Sequence, residues 1–231
     1  MSSSRKEHVV ICRDLCVHTQ NAAILSSVFF SVAAGEFLGI VGESGAGKTT
    51  LLRLLSRRVR LQDGVTISGT GVLPPEVWLV AQENVLYDHD TPLSAVSFLH
   101  RLLYESTTEK ADDEATRLLL RVGVPELVIR QRIGNVSDGI SVGNRRLVNV
   151  ALALCAKSKV ILLDEPTTGL DSSATAELMR VVREVCHTTG CACICTIHQP
   201  SDEAVQYFDR LVAMNGGKMY CAKIPRRRWW Y

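Results

Sequence analysis

Long apolar runs are missing from this 231-residue chain. None approaches the roughly 20 consecutive residues that cross a bilayer, and the opening MSSSRKEHVVICRD holds only a short apolar stretch, without the core of a secretion signal. The expectation is a cytosol-facing domain. Charge of one sign is scarce as well: 26 Lys and Arg against 24 Asp and Glu leave a formal charge of +2, too little for a domain-wide nucleic-acid footprint. The one dense basic run, Arg226 to Arg228, ends the chain beside WWY. Neither a solenoid period nor a low-complexity linker is present. Of the eight cysteines none forms a C-x-x-C pair, and without an export signal reduced thiols are expected rather than disulfides. Cys191, Cys193 and Cys195 alternate in CACICTIH, so a period of two places them on one face of a packed strand.

What is present is a globular composition, 46% hydrophobic and 22% charged. VVICRDLCVH, ILSSVFFSV and EFLGIVG read as short strands, the third leading directly into GESGAGKTTLLRLL, where glycines give way to a helical pattern. Residues 62–76 read as a polar Gly/Pro section, followed by a buried strand in VWLVAQ. Helical character then prevails in AVSFLHRLLY and in EKADDEATRLLLRVG, where Ala115, Leu118, Leu119 and Val122 recur at the spacing of a buried face. The chain returns to α/β alternation with RRLVNVALALCAKS, VILLDE, SSATAELMRVVREVCHTTG and CACICTIH, which favours parallel strands covered by helices.

The strongest local signal is Gly42 to Thr49, GESGAGKT, which fits G-x-x-x-x-G-K-[ST] with a strand before it and a helix after it. Gly42, Gly45 and Gly47 permit a turn whose backbone N–H groups converge on phosphate, with Glu43, Ser44 and Ala46 between them and Thr50 continuing into the helix. Lys48 is placed to meet the β- and γ-phosphates and the Thr49 hydroxyl to ligate Mg²⁺. In VILLDEP, Asp164 would support Mg²⁺ and Glu165 would polarise the attacking water. Gln82 and His198 each follow a predicted strand, at the edge where ligands meet a parallel sheet. Gln82 is a candidate to hold Mg²⁺ and water, and His198 to meet the γ-phosphate; an ordinary loop role is the alternative for both. A different phosphoryl-transfer enzyme, such as a small kinase, shares the phosphate loop and the magnesium carboxylate.

The ordered set GESGAGKTT, Gln82, ILLDEP, TGLD and His198 resembles the ATPase domain of ATP-binding cassette transporters, over about residues 9–221. TIHQPS, DEPTTGLDSS and NGGKMYC resemble the G subfamily, which includes pleiotropic drug-resistance and white-type transporters. The resemblance implies an α/β P-loop NTPase fold with a mixed sheet core, a helical subdomain at approximately 85–158, and a basic aromatic tail at 222–231. It implies Mg-dependent ATP hydrolysis coupled to transport, with ATP and Mg²⁺ bound at the cytosolic face of a membrane. It also implies dimer contacts at Gly169, Leu170 and Asp171, a second ATPase domain, and membrane domains beyond these residues; no specific nucleic acid is expected. In place of the family's adenine-stacking aromatic, the aligned DLCVHT offers Val17 and His18. A regulatory nucleotide-binding module and a non-transport ATPase of the same family are the competing functions.

Asn144 lies 20 residues before Asp164, so ISVGN takes the register of the family's LSGGQ-like signature and the nearby VSDG does not. Ser141 and Gly143 remain, while Val142 and Asn144 replace a glycine and a glutamine. A β-branched residue cannot take the positive φ open to glycine, and forcing it there costs about 1–2 kcal/mol, so the loop is expected to shift or to approach phosphate less closely; a helix start formed by Ser141 is the alternative. Because each signature in this family serves the site on the other domain, the alteration implies a non-identical partner with an intact signature. This asymmetry is similar to the second ATPase domain of full-length pleiotropic drug-resistance transporters. The tail RRRWWY is a candidate for membrane or partner contact.

Overall fold

The computed structural model describes residues 7–20, 22–57, 65–82, 86–135 and 137–222. Of the tail, only the backbone of Ala222 falls within them; residues 223–231, with all of RRRWWY, lie outside the described residues. Two long strands open the chain, β1 (His8–His18) and β2 (Ala23–Ala33), paired antiparallel, and β4 (Thr66–Val72) joins the other side of β1 to give the order β2-β1-β4. Sequence reading takes β4 for a polar connection because every one of its residues is exposed and Gly69 and Gly71 interrupt it, leaving no alternating apolar face.

A second, mixed sheet has the order β5-β6-β7-β3-β8-β9 and is the core of an α/β fold. Its strands are β3 (Phe37–Val41), β5 (Val77–Val80), β6 (Val160–Asp164), β7 (Ala192–Ile197), β8 (Arg210–Asn215) and β9 (Lys218–Ala222). All neighbouring pairs are parallel except β8–β9, an antiparallel hairpin turned by Gly216 and Gly217. Each strand divides two cores by alternation. Along β7, Cys193, Cys195 and Ile197 face one core, together with Cys191 just before the strand, while Ala192 and Ile194 face the other. The cysteine stripe is therefore packing, as its period of two predicts.

The first core lies between the two sheets and takes up α1 (Lys48–Leu55) through Leu51, Leu52 and Leu55. The second is covered by helices. Four of them intervene between β5 and β6 in the chain: α2 (Pro92–Tyr104), α3 (Thr108–Arg121), α4 (Glu126–Ile129) and α5 (Val142–Cys155). α2 starts where Thr91 and Ser94 form a reciprocal capping box with Pro92 at the first position. α3 buries Ala115, Leu118 and Leu119, with Val122 following at its C-cap. After β6 come α6 (Ser172–Thr189), ended by Gly190 at φ 75°, and the short α7 (Asp202–Val205). Among the described residues no helix is long and apolar enough to cross a membrane.

Candidate functional site

The parallel register assembles the site at one edge. Val41 pairs with Ile197, Asp164 with Thr196, and Val80 with Leu163. Gly42, Gln82, Glu165 and His198 therefore leave the sheet on the same side. Ligands of open α/β sheets bind outside these carboxyl ends.

Gly42 closes onto the sheet, its N–H donating to Ile197 O at 3.3 Å. A Cβ there would stand 2.2 Å from the Met214 carbonyl oxygen, so only glycine fits. Glu43 and Ser44 are exposed, and Gly45 turns at φ 79° with nothing within 4 Å of the direction a Cβ would take. That leaves the outer side of the loop open to a ligand. Ala46 is buried and its carbonyl accepts from Gly217 N at 3.1 Å, which ties the loop to the β8–β9 turn. Gly47 enters α1 at φ 99°, against Ile24 and Leu25.

Lys48 is only 4% exposed, and its Nζ donates to Gly42 O at 2.7 Å and Glu43 O at 3.0 Å. The same nitrogen stands 3.3 Å from Glu165 Oε1. Beside it Thr49 Oγ1 donates to Asp164 Oδ1 at 3.1 Å, while Thr50 is half-buried in the first turn. The loop and the acidic strand exit thus meet through two pairs, Lys48 with Glu165 and Thr49 with Asp164. A buried ammonium held against an open glycine turn suits phosphate. A hydroxyl facing a carboxylate presents the hard oxygen donors that Mg²⁺ takes.

Thr196, missed in the sequence reading, fixes how the carboxylates stand. Its buried hydroxyl donates to Asp164 Oδ1 at 2.8 Å and accepts from Glu165 N at 2.9 Å. Glu165 is held at φ 45°, a left-handed conformation that costs a residue with a Cβ about 1 kcal/mol or more. Gln82 and His198 are both exposed, and among the described residues no hydrogen bond joins either side chain to Asp164 or Glu165. The backbone of Gln82 is nevertheless anchored. Arg146 Nη1 donates to Ala81 O at 2.9 Å and Nη2 to Gln82 O at 2.8 Å. Burial lowers the pKa of this guanidinium, and the negative charge of Asp164 acts in the opposite sense.

Ser141 to Asn144 form the start of α5, with Ser141 as the N-cap accepting from Asn144 N at 3.2 Å. Here one expectation is corrected. Val142 is the first residue of the helix and is not among the residues at positive φ, so no left-handed strain arises from replacing glycine. What Val142 adds is an isopropyl group on a helix start. Gly143 has ordinary space, a Cβ there meeting Leu170 Cδ2 at 3.8 Å and Ala174 Cβ at 3.9 Å. Gly169 turns at φ 81° before Leu170, and Asp171 caps α6 by accepting from Ala174 N at 2.8 Å. The signature-like segment thus stands beside the Gly169–Asp171 loop, and among the described residues it makes no hydrogen bond to the phosphate loop.

The segment preceding α5 is organised by Arg145, whose buried guanidinium donates to the carbonyls of Ile133, Gly134, Asn135 and Ile140. Asp138 caps the same loop by accepting from Asn135 N. His18 is exposed at the end of β1, paired with Ala23 of the strand whose next residues touch Gly47.

A profile described as ABC transporter matches residues 25–168, more than half of the chain. The chain belongs to this family. Its curated relatives include ABC transporter G family member 6 of Dictyostelium discoideum, 32% identical over 86% of this chain and 13% of that protein. ABC transporter G family member 14 of Arabidopsis thaliana is 31% identical over 86% of this chain and 32% of its own length. The chain therefore spans a third or less of these two relatives. The phosphonates import ATP-binding protein PhnC of Hyphomonas neptunium is 33% identical over 87% of this chain and 81% of its own.

Two solved structures share the fold. A dimeric ATP-binding cassette in a post-hydrolysis state with ADP and Pi has a TM-score of 0.74 at 20% identity, covering 95% of this chain and all of its own. cbiO1 of Clostridium perfringens has a TM-score of 0.80 at 21% identity, covering 94% of this chain and 89% of its own.

Proposed function

We propose that this chain is the ATP-hydrolysing module of a membrane transporter, working at the cytosolic face of a membrane with a second ATPase domain and with membrane domains outside these residues. The observation that carries the reading is the convergence of Lys48 on Glu165 and of Thr49 on Asp164 beneath an open glycine loop. Family membership supplies the context.

The loop from Gly42 to Thr50 would bind the phosphates of ATP through its backbone N–H groups. Lys48 is at present shared between two carbonyls and Glu165. An arriving phosphate competes for that ammonium and frees Glu165 to accept the proton of the attacking water. Thr49, Asp164 and Gln82 are the residues that would hold Mg²⁺, which when bound spreads the negative charge developing on the phosphates. His198, at the adjoining strand exit, would orient the γ-phosphate. His18, exposed at the end of β1, would stack on the adenine ring in place of an aromatic, or serve only as part of a surface turn.

The second half of the proposal concerns the partner. Ser141, Val142, Gly143 and Asn144 would meet a nucleotide held on the other domain, with Gly169, Leu170 and Asp171 lining the same interface. The Val142 side chain crowds that approach, which favours a non-identical partner that brings an intact signature to the site built here. The experiment mixes the purified chain with candidate partners whose own catalytic glutamate is disabled. Turnover should rise with a partner carrying an intact signature, and Glu165→Gln should lower it by about 10²- to 10⁴-fold while ATP binding persists. Turnover unaltered by Glu165→Gln would defeat the catalytic assignment. Nucleotide binding without turnover in every pairing would favour a regulatory module.

A further inference from the structure

We propose that Arg146 is a positioning residue, holding the strand exit that carries Gln82 and tying it to the helix whose first turn contains Ser141 to Asn144. The proposal rests on the ATPase reading above and adds to it a physical link between the chain's own site and the surface it would offer to its partner.

The geometry is that of a two-pronged clamp. The last registered pair between β5 and β6 is Val80 with Leu163, so the exit formed by Ala81 and Gln82 lies past the ladder. Its two successive carbonyls are taken by the two terminal nitrogens of one guanidinium, at 2.9 and 2.8 Å. The planar fork of arginine matches two acceptors in fixed directions, which the single point charge of a lysine does not.

Stability alone is a poor account of this residue. Arg146 is only 8% exposed, and among the described residues its buried Nε has no hydrogen-bond partner. An orphaned buried donor on a charged group is costly and offsets part of what the two carbonyl hydrogen bonds contribute to stability. The negative charge of Asp164 opposes only part of that cost. Arg146 thereby lies under the electrostatic influence of the proposed magnesium aspartate and holds the backbone of the proposed magnesium glutamine.

The consequence follows from the position of Arg146 in α5, four residues after Val142. Displacement of the first turn of α5 by a nucleotide on the partner domain pulls directly on Ala81 and Gln82. The link therefore carries occupancy of the partner's site to metal coordination in this one.

The test uses the full chain in a Glu165→Gln background, titrating Mg²⁺ while following a fluorescent ATP analogue. Arg146→Met is expected to raise the Mg²⁺ concentration required by roughly tenfold, the scale on which groups supporting metal ligands act, and to leave Mg²⁺-free nucleotide binding unchanged. Arg146→Lys should fall between Met and wild type. Gln82→Ala should reproduce the loss, and the double variant should be no worse than Gln82→Ala alone, as expected when one residue acts through the other. Equal losses with and without Mg²⁺, or additive losses in the double variant, overturn the proposal. In the same proteins without nucleotide, amide exchange at residues 80–82 should accelerate in Arg146→Met while exchange elsewhere is preserved; unchanged exchange there also overturns it. If the Glu165→Gln parent binds no nucleotide, the ATPase reading fails, and the exchange measurement still decides the tether.

Discussion

The Thr196 hydroxyl has partners that no neighbouring residue of the sequence suggests, Asp164 and Glu165 at short range and the Leu163 carbonyl at 3.4 Å. It donates to Asp164, 32 residues earlier, and accepts from Glu165 N, so one buried hydroxyl sets the direction of one carboxylate and the backbone of the next residue. Thr196→Val keeps the shape and removes the hydroxyl, leaving the Glu165 N–H unsatisfied. The expected cost is about 1–3 kcal/mol, read as a lowered urea midpoint. It should be accompanied by weaker Mg²⁺ binding, because Asp164 loses the donor that orients it. A midpoint unchanged within error would show that the hydroxyl carries no such role. Lys48, Thr49 and Asp164 were legible from sequence because their spacing follows from the local turn and strand that carry them. Thr196 was not, because its role exists only through the β6–β7 register. Arg146 escaped for the same reason: its acceptors lie 65 and 64 residues away.

At the scale of elements, α5 carries the two questions the sequence raises about its own loop. The backbone conformation of Val142 was not readable, since a glycine in a family pattern does not reveal whether its freedom or its small size is used. Val142 sits at the first helical position. Val142→Gly is therefore expected to change stability by less than about 1 kcal/mol, the range of helix propensity, and to raise turnover in a pair whose second site depends on this segment. Unchanged turnover in every pair would show that the isopropyl group does not obstruct the interface. Arg145 behaves differently. It satisfies four carbonyls of the loop before α5 from a buried position. Arg145→Met should cost at least about 2 kcal/mol, because buried acceptors are left unpaired, and a thermal melt would register the loss. β4 was lost to the sequence reading at this same scale, being defined by its pairing to β1 rather than by any pattern of its own.

Across the whole molecule, the two cores share one wall, the mixed sheet, and the helix-covered side of that wall is lined with thiols. Cys186, Cys191, Cys193 and Cys195 all lie in that core, with Cys155 of α5, while Cys12 belongs to the core between the sheets. Burial pushes Cys12 and Cys191 up to about 12 and Cys155 up to about 11, and holds Cys193 and Cys195 well above the ordinary thiol range. In the unfolded chain these groups ionise near pH 9. The folded state therefore binds their protons more tightly than the unfolded state does. Their contribution is fully present below about pH 9 and is lost as pH rises from there toward 11 and 12.

Between those limits each such thiol steepens the loss of stability by about 1.4 kcal/mol per pH unit. The urea midpoint should consequently fall with increasing slope above pH 9. Other groups titrate in the same window, so the measurement that isolates the thiols is the slope in Cys191→Ala relative to wild type. That variant starts slightly less stable, from the small cavity it opens, and should lose stability more slowly from pH 9 to pH 11. Parallel slopes in the two proteins would mean that the thiol ionises alike in the folded and unfolded chains, contrary to its burial just before β7. A shallower slope would place Cys191 among the groups that join the mixed sheet to its helical cover, rather than among reactive sites.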